Sequence, residues 1–316
     1  MHKIFYLLFI LNTAFAASIV KVGELPKEIP SVDLKSFEIQ KIMLGEKLFS
    51  DVTLSKSRHL SCSSCHVPGL SFASTNDVDF GDQEIGFRNT PALINRYFSK
   101  SQMWDGRAPN LKDQIWMPIQ SHSEMANTPD EVLSRLSSHP EYIKDFQNVF
   151  GEKPTVENVS EALAQFVSSN FAAGSRYDQF MQGNTKSLSA EEKRGMNLFN
   201  DKFKCVSCHS GFNFTNEKLA ERCLREGNYV NKDPNYIRLY KVPTLRNLVD
   251  TAPYFHNGKL PDLNAVMSFY QGCQMVDQDG NALKNNFIKM TTVEKKEIIK
   301  FLKTLQGTIY QYRPSK

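Results

Sequence analysis

Apolar positions along this chain recur mostly at helical spacing. Thr155 can cap a helix whose Val159, Ala162, Leu163, Phe166 and Val167 fall on one face. Thr128-Pro-Asp-Glu131 predicts another helix start, a capping box with proline at the first helical position. Ser189-Ala-Glu-Glu192 is a second such box. A last helix is expected from about Thr292, with Ile298, Leu302 and Leu305 on one stripe and Gly307 ending it. No alternating strand pattern persists, so the pattern predicts a mostly α protein. Between its two helical stretches, the segment 172–187 carries Gly174, Gly183 and Asn184 and reads as a linker.

The N-terminus departs from this pattern. His2 and Lys3 precede the apolar run Ile4 to Leu11, and Ala14-Phe15-Ala16 follows as a cleavage box. Residues 1–16 are thus expected to be a secretory signal peptide cleaved near Ala16, placing the mature chain in the periplasm. The run is too short to span a bilayer, and no later stretch is long enough. The mature length of about 300 residues suggests roughly two domains. We expect boundaries at 17–173, 174–187 for the linker and 188–316. The formal charge of +4 is too mild to argue for nucleic acid, although a local charged face remains able to dock a small redox protein.

Cysteine usage changes the picture most. Four of the six cysteines lie in two Cys-x-x-Cys-His motifs, Cys62-Ser-Ser-Cys65-His66 and Cys205-Val-Ser-Cys208-His209. That pentapeptide attaches c-type haem: the cysteines form thioethers to the porphyrin and the histidine ligates the iron. An export signal fits, because such haem is attached outside the cytoplasm. Cys223 and Cys273 remain, either as a disulfide that an oxidising compartment permits or as two buried thiols.

Similarity extends beyond the motifs. Gly45 to Asp51 matches Gly195 to Asp201, Pro91 to Asn95 matches Pro243 to Asn247, and Trp104 to Leu111 matches His256 to Leu263. The order is the same around both motifs. The expected architecture is therefore two cytochrome c-like helical domains related by internal duplication, with one c-type haem each.

The sixth iron ligand decides the chemistry, since a haem with two protein ligands moves electrons and one with an open side can bind peroxide. At an offset of 152 residues Pro118 aligns with Tyr270. A tyrosine can ligate iron through its phenolate and a proline cannot ligate at all. The repeat thus suggests an open first haem and a closed second one; Tyr270 as an aromatic packed on a helix stays an alternative on residues alone. Near Pro118, Glu124 is the candidate acid/base for splitting the O–O bond, and Gln114 can hydrogen-bond an oxidant. Met117 and Met125 read as core packing.

With these residues in place the chain resembles the bacterial diheme cytochrome c peroxidases and their MauG-type relatives. The motifs are Arg88-Asn89-Thr90-Pro91, Trp104-Asp105-Gly106-Arg107, Ser123-Glu124-Met125, Thr244-Leu245-Arg246-Asn247 and Pro253 to Gly258. The resemblance implies a peroxidatic first haem and an electron-transfer second haem, with Trp104 between them. It places Gln114, Pro118 and Glu124 in the distal pocket, and implies calcium bound by Asn89, Thr251 and Pro253, the last two through carbonyls.

Ordinary members carry a capping histidine where this chain has Asp82, and a methionine ligand where it has Tyr270. Both changes resemble the MauG-like branch and imply a first haem open at rest. Three features depart from that branch. His122 stands where the family has proline. Phe203 replaces a surface tryptophan that relays oxidation from a protein substrate, leaving Trp104 and Trp116 as the only tryptophans. Cys223 and Cys273 are extra.

Three readings follow. The first is a periplasmic peroxidase reducing hydrogen peroxide with electrons from a small cytochrome c or cupredoxin. The second is a MauG-like oxidase acting on a partner protein. The third is a non-catalytic diheme electron carrier. The protein is expected to be a monomer or homodimer with no membrane span.

Overall fold

The computed structural model of the protein describes residues 20–23, 29–30, 32–221, 239–276 and 282–312. The expected signal peptide and Cys223 lie outside them. In chain order, β1 (Val20–Gly23) precedes α1 (Ile39–Phe49), α2 (Cys62–Cys65), α3 (Leu111–Gln120), α4 (Pro129–Ser138), α5 (Pro140–Phe150) and α6 (Val156–Ser168). Then come β2 (Asn170–Ala173), α7 (Arg176–Met181), α8 (Ala190–Asn197), β3 (Leu219–Glu221), β4 (Leu239–Lys241), α9 (Leu263–Tyr270), β5 (Gln274–Val276), β6 (Ala282–Phe287), α10 (Thr292–Lys303) and β7 (Thr308–Tyr312). The protein is mostly helical, and no helix among the described residues is long and apolar enough to cross a membrane.

The predicted helix starts are present, with one difference. Thr155 and Asn158 form a reciprocal capping box at α6, and Ser189 and Glu192 do the same at α8. At α4, Thr128 accepts from the Glu131 N–H, but the Glu131 carboxylate turns away to Arg135 Nε at 2.8 Å. The box is therefore half made, because the salt bridge one turn along competes for the same carboxylate. All five residues expected on the inner face of α6 are buried. At the C-terminus α10 stops at Lys303, four residues before Gly307, whose N–H instead donates to Asn247 Oδ1 at 2.8 Å.

The strands escaped the sequence pattern for a physical reason. β7 pairs parallel with β1 and antiparallel with β2, and all four residues of β2 are buried. A short strand covered on both faces shows no alternation. The expected linker begins just past this sheet, and it is structured: α7 places Asp178 in the interior, where it receives two bonds from Arg246, both at 2.8 Å.

Among the described residues, apolar side chains gather in two cores. One packs α1, α3, α4, α5 and α6 with β2 and β7. The other packs α8, α9 and α10. Each core is organised by a close helix crossing at a glycine. A Cβ on Gly45 would come within 2.0 Å of the Ala162 carbonyl oxygen, and one on Gly195 within 2.0 Å of the Glu297 carbonyl oxygen. Only glycine lets α1 meet α6, and α8 meet α10, at this separation. Asn95 and Asn247 also adopt the same left-handed backbone, with φ of 56° and 54°. Each side chain brackets a later backbone segment, Asn95 at Ala172 and Asn247 at Gly307.

Candidate haem sites

Ser61 starts α2, and its side chain and that of Ser64 form a reciprocal capping box. This short helix carries Cys62 and Cys65, and His66 caps its end. The chain then turns back so that His66 Nδ1 meets the Phe72 carbonyl oxygen at 2.9 Å. The second motif folds alike: Cys205–Ser207 forms one helical turn, and His209 Nδ1 meets the Phe214 carbonyl oxygen at 3.0 Å. A carbonyl only accepts, so each imidazole carries its proton on Nδ1 and presents Nε2 as a ligand lone pair. Burial holds both imidazoles below the usual histidine range, with the carbonyl bonds opposing it, so the neutral ligand form is favoured.

The four motif cysteines are free thiols. Burial pushes Cys62, Cys65 and Cys205 up to about 12 and raises Cys208. Among the described residues no cluster of three or more His, Cys, Asp or Glu side chains is arranged to hold a metal ion. Each site therefore offers one nitrogen and two protonated thiols, which suits a group that brings its own iron ligands, as a porphyrin does.

Of the residues predicted for the first site, the structure brings the Glu124 segment against Pro118. Gln114 and Pro118 lie on α3, with Gln114 Nε2 3.8 Å from Met103 Sδ. The chain leaves α3 and doubles back, so that Met125 N–H donates to the Pro118 carbonyl at 3.0 Å. Met125 itself is buried in the core. Glu124 is exposed on one side, but the protein around it is dense enough that burial raises its carboxyl above the usual range, opposed by Arg107. Its charge acts on both Cys62 and Cys65, which puts it within electrostatic reach of the motif. His122 points elsewhere, with Nδ1 2.7 Å from Gln83 Oε1 in an exposed position.

Asp82 accepts from the Ser57 N–H at 2.6 Å and from the Ser57 hydroxyl. Its own N–H donates to the Glu124 carbonyl at 2.6 Å. The loop also needs Gly81, because a Cβ there would fall 2.2 Å from the Ser123 backbone.

Trp104 sits at the seam between the two cores. Its indole N–H donates to the Asn89 carbonyl at 2.8 Å, and its own carbonyl accepts from Lys241 N–H at 2.8 Å. Asn89 N–H donates to the His256 carbonyl at 2.8 Å. Asn89 thus lies against the segment that carries Thr251 and Pro253, and its Nδ2 is engaged with the Asn76 carbonyl at 3.0 Å.

Around the second motif, Tyr270 ends α9 and packs among Phe255 and Phe269, with centroids 6.2 and 5.5 Å away. Its carbonyl accepts from Cys273 N–H at 3.0 Å, and Cys273 is disulfide-bonded. Phe203 is 4 % exposed, with Lys202 Nζ 5.3 Å above its ring. The other tryptophan, Trp116, is buried and donates to Ser160 Oγ at 2.7 Å.

Sequence reasoning missed Arg246 as an organising residue. It stacks 4.0 Å from the Phe212 centroid, donates to the Phe212 carbonyl at 2.7 Å and pairs with Asp178. This fixes the turn whose Phe214 carbonyl orients His209. The signal was an arginine inside an otherwise apolar repeat, where the first copy has Ile94.

Two histidines, each beside a pair of free cysteines and bonded through Nδ1 to a carbonyl, fit the holding of two haems. The sequence profile of the di-haem cytochrome c peroxidases matches residues 39–186. The methylamine utilization protein MauG of Methylorubrum extorquens is 32 % identical over 294 residues, covering 89 % of this chain and 82 % of that protein. The cytochrome c551 peroxidase of Nitrosomonas europaea is 34 % identical over 279 residues, covering 84 % and 79 %. The fold matches that of a MauG-like protein associated with microbial copper homeostasis, with a TM-score of 0.76 at 24 % identity over 90 % of this chain and 95 % of that one. The chain belongs to the di-haem cytochrome c peroxidase and MauG family, and is a peroxidase-like oxidoreductase.

Proposed function

We propose that the protein is a periplasmic peroxidase that reduces hydrogen peroxide to water at a haem held by Cys62, Cys65 and His66. Cys205, Cys208 and His209 would hold a second haem, with Tyr270 as its candidate closing ligand, and that group would supply the route for electrons from a small cytochrome c or cupredoxin. The recurrence of the glycine crossing, the left-handed asparagine and the histidine–carbonyl bond supports two duplicated units with one covalent haem each.

The observation that carries this reading is the placement of Glu124, whose carbonyl accepts from Asp82 N–H and whose neighbour Met125 bonds the Pro118 carbonyl, with a carboxyl raised by its surroundings. Bound there, a haem would supply redox-active iron for the reduction of peroxide. Glu124 accepts the proton of the near peroxide oxygen and delivers it to the departing one. Gln114 orients the oxidant, and Pro118 keeps α3 from offering a ligand. Asp82 stays with Ser57 and does not cap the iron. Trp104, hydrogen-bonded to Asn89 on one side of the seam and to Lys241 on the other, carries electrons across it. Asn89, Thr251 and Pro253 supply hard oxygen ligands for a calcium ion that locks the same seam.

Tyr270 and Asp82 favour a second reading, oxidation of a partner protein in the MauG manner. The buried Phe203 weighs against it, since a phenyl ring inside the core is a poor relay to a protein docked outside.

Low-temperature EPR of the resting ferric protein tests the proposal. One high-spin and one low-spin haem, followed by fast reaction with peroxide, is the expected result. Two low-spin signals and no reaction would leave the electron carrier. Turnover with a small cytochrome, set against oxidation of a partner protein, separates the two enzyme readings.

A further inference from the structure

The turn behind His66 is held from the other half of the chain. Ser71 and Phe72 are consecutive residues with φ of 56° and 59°, a backbone region sparsely populated by residues that carry side chains. Both are buried, and the Phe72 carbonyl is the one that meets His66 Nδ1 at 2.9 Å. Such a conformation persists only where the surroundings fix it. Phe72 N–H closes the turn locally on the Val67 carbonyl at 3.0 Å. The side-chain anchor comes from 179 positions further on, where Asp250 Oδ2 accepts from Ser71 Oγ at 2.9 Å. Asn247 Nδ2 donates to the same hydroxyl at 3.2 Å, so Ser71 is engaged as donor and as acceptor. Asp250 is 5 % exposed, and its Oδ2 also accepts from Gln306 Nε2 at 2.7 Å.

The second motif is fastened differently. Its turn, with Phe214 at φ 49°, is gripped by Arg246, which donates to the Phe212 carbonyl at 2.7 Å. The first copy has Ile94 in place of that arginine. At the same offset of 152 residues, Asp250 matches Phe98. The repeat therefore carries a carboxylate in its second copy, where the first is apolar, at the position that reaches the first turn. A carboxylate is a stronger acceptor for the Ser71 hydroxyl than a neutral oxygen.

We propose that Asp250 is a positioning residue for His66: from the second unit, and through Ser71, it holds the carbonyl that orients the ligand of the first haem. This rests on the reading of His66 as that ligand. An imidazole whose Nδ1–H is held by an acceptor keeps its ring orientation and is the more basic ligand. Freeing the Ser71–Phe72 turn lets the carbonyl drift, weakens that bond and makes the imidazole a poorer electron donor. The contact also gives the second unit a hold on the first site that does not pass through Trp104.

The test uses the exported holoprotein and its Ser71→Ala, Asp250→Leu and Asp250→Asn variants, with the Ser71→Ala/Asp250→Leu double variant. Haems are counted first by intact mass and pyridine haemochrome. Fewer than two in the wild-type protein overturns the underlying function, and the proposal with it, and is distinguished by that count. A His66→Met ligand swap marks which spectral component belongs to the first haem. Each haem is then titrated spectroelectrochemically, and the iron–histidine stretch of the reduced protein is followed by resonance Raman. Ser71→Ala and Asp250→Leu should each move the first haem to a more positive midpoint and lower its iron–histidine stretch, with the second haem unmoved. The Ser71 and Gln306 bonds both fall on Oδ2, so the amide oxygen that Asp250→Asn introduces can receive both, and this variant should stay close to wild type. The double variant should shift no further than the larger single one, because both act through one contact. An unmoved first haem in Ser71→Ala and Asp250→Leu, even with a lower Tm, overturns the proposal. So does an equal shift of both haems, which marks a general loss of packing. A full shift in Asp250→Asn with none in Ser71→Ala marks the charge alone and overturns it too.

Discussion

Asp82 donates its backbone N–H to the carbonyl of Glu124 at 2.6 Å. The loop where related enzymes keep a capping histidine is thereby fastened to the residue proposed as the distal acid. Gly81 makes this approach possible, and Ser57 holds the Asp82 carboxylate from the other side. One local packing arrangement thus fixes both Asp82 and the backbone of Glu124.

Gly81→Ala should disrupt that arrangement. The added methyl would meet the Ser123 backbone at 2.2 Å, and overpacking of this kind costs about 1–3 kcal/mol. Thermal unfolding should show a lower Tm, and stopped-flow mixing should show a slower peroxide reaction because Glu124 moves with Ser123. An unchanged rate would separate the loop from the chemistry.

Glu124→Gln should leave the resting EPR spectrum as it is and slow the peroxide reaction by roughly 10²–10⁴-fold, the usual contribution of a positioned acid/base. Accepting the peroxide proton requires the ionised carboxylate. Burial raises the carboxyl, so the wild-type rate should fall as pH drops through a value above the ordinary glutamate range. The variant should lack this acid limb.

Tyr270→Phe should alter the low-spin EPR signal alone, because the residue packs in the core of the second unit. A low-spin signal that does not change would return Tyr270 to the role of a packed aromatic.

Asp178→Asn should destabilise the fold by about 3–5 kcal/mol in denaturant unfolding, since it leaves Arg246 buried without its counter-ion. Burial alone would raise Asp178, but the Arg246 bonds outweigh it and hold the carboxyl below its usual range. A depressed folded value means that the pair's stabilisation is present above the unfolded pKa of about 3.9 and is lost as pH falls through the folded value. The variant should lose this acid-dependent component.

The chemistry was readable from local spacing. The Cys-x-x-Cys-His motifs pointed to haem, which family membership supports, and the offset that matches Pro118 with Tyr270 raised the expectation of two unlike sites. Both rest on contiguous residues or on a fixed offset, which sequence preserves. The helix starts at Thr155 and Ser189 were equally legible, because a cap bonds only three residues away. At Glu131 this failed once another partner, Arg135, became available.

What sequence alone determined about this protein is therefore its helical character, its two haem motifs and the residue types beside them. Tertiary structure decided the rest. It buried Phe203, turned His122 to the surface, set Asp82 against Glu124 and Ser57, and joined Lys241 to Glu217 and to the Ser101 carbonyl. Those relationships join residues from 24 to 140 positions apart. They follow from which faces pack and where charge is enclosed, and no local pattern records either.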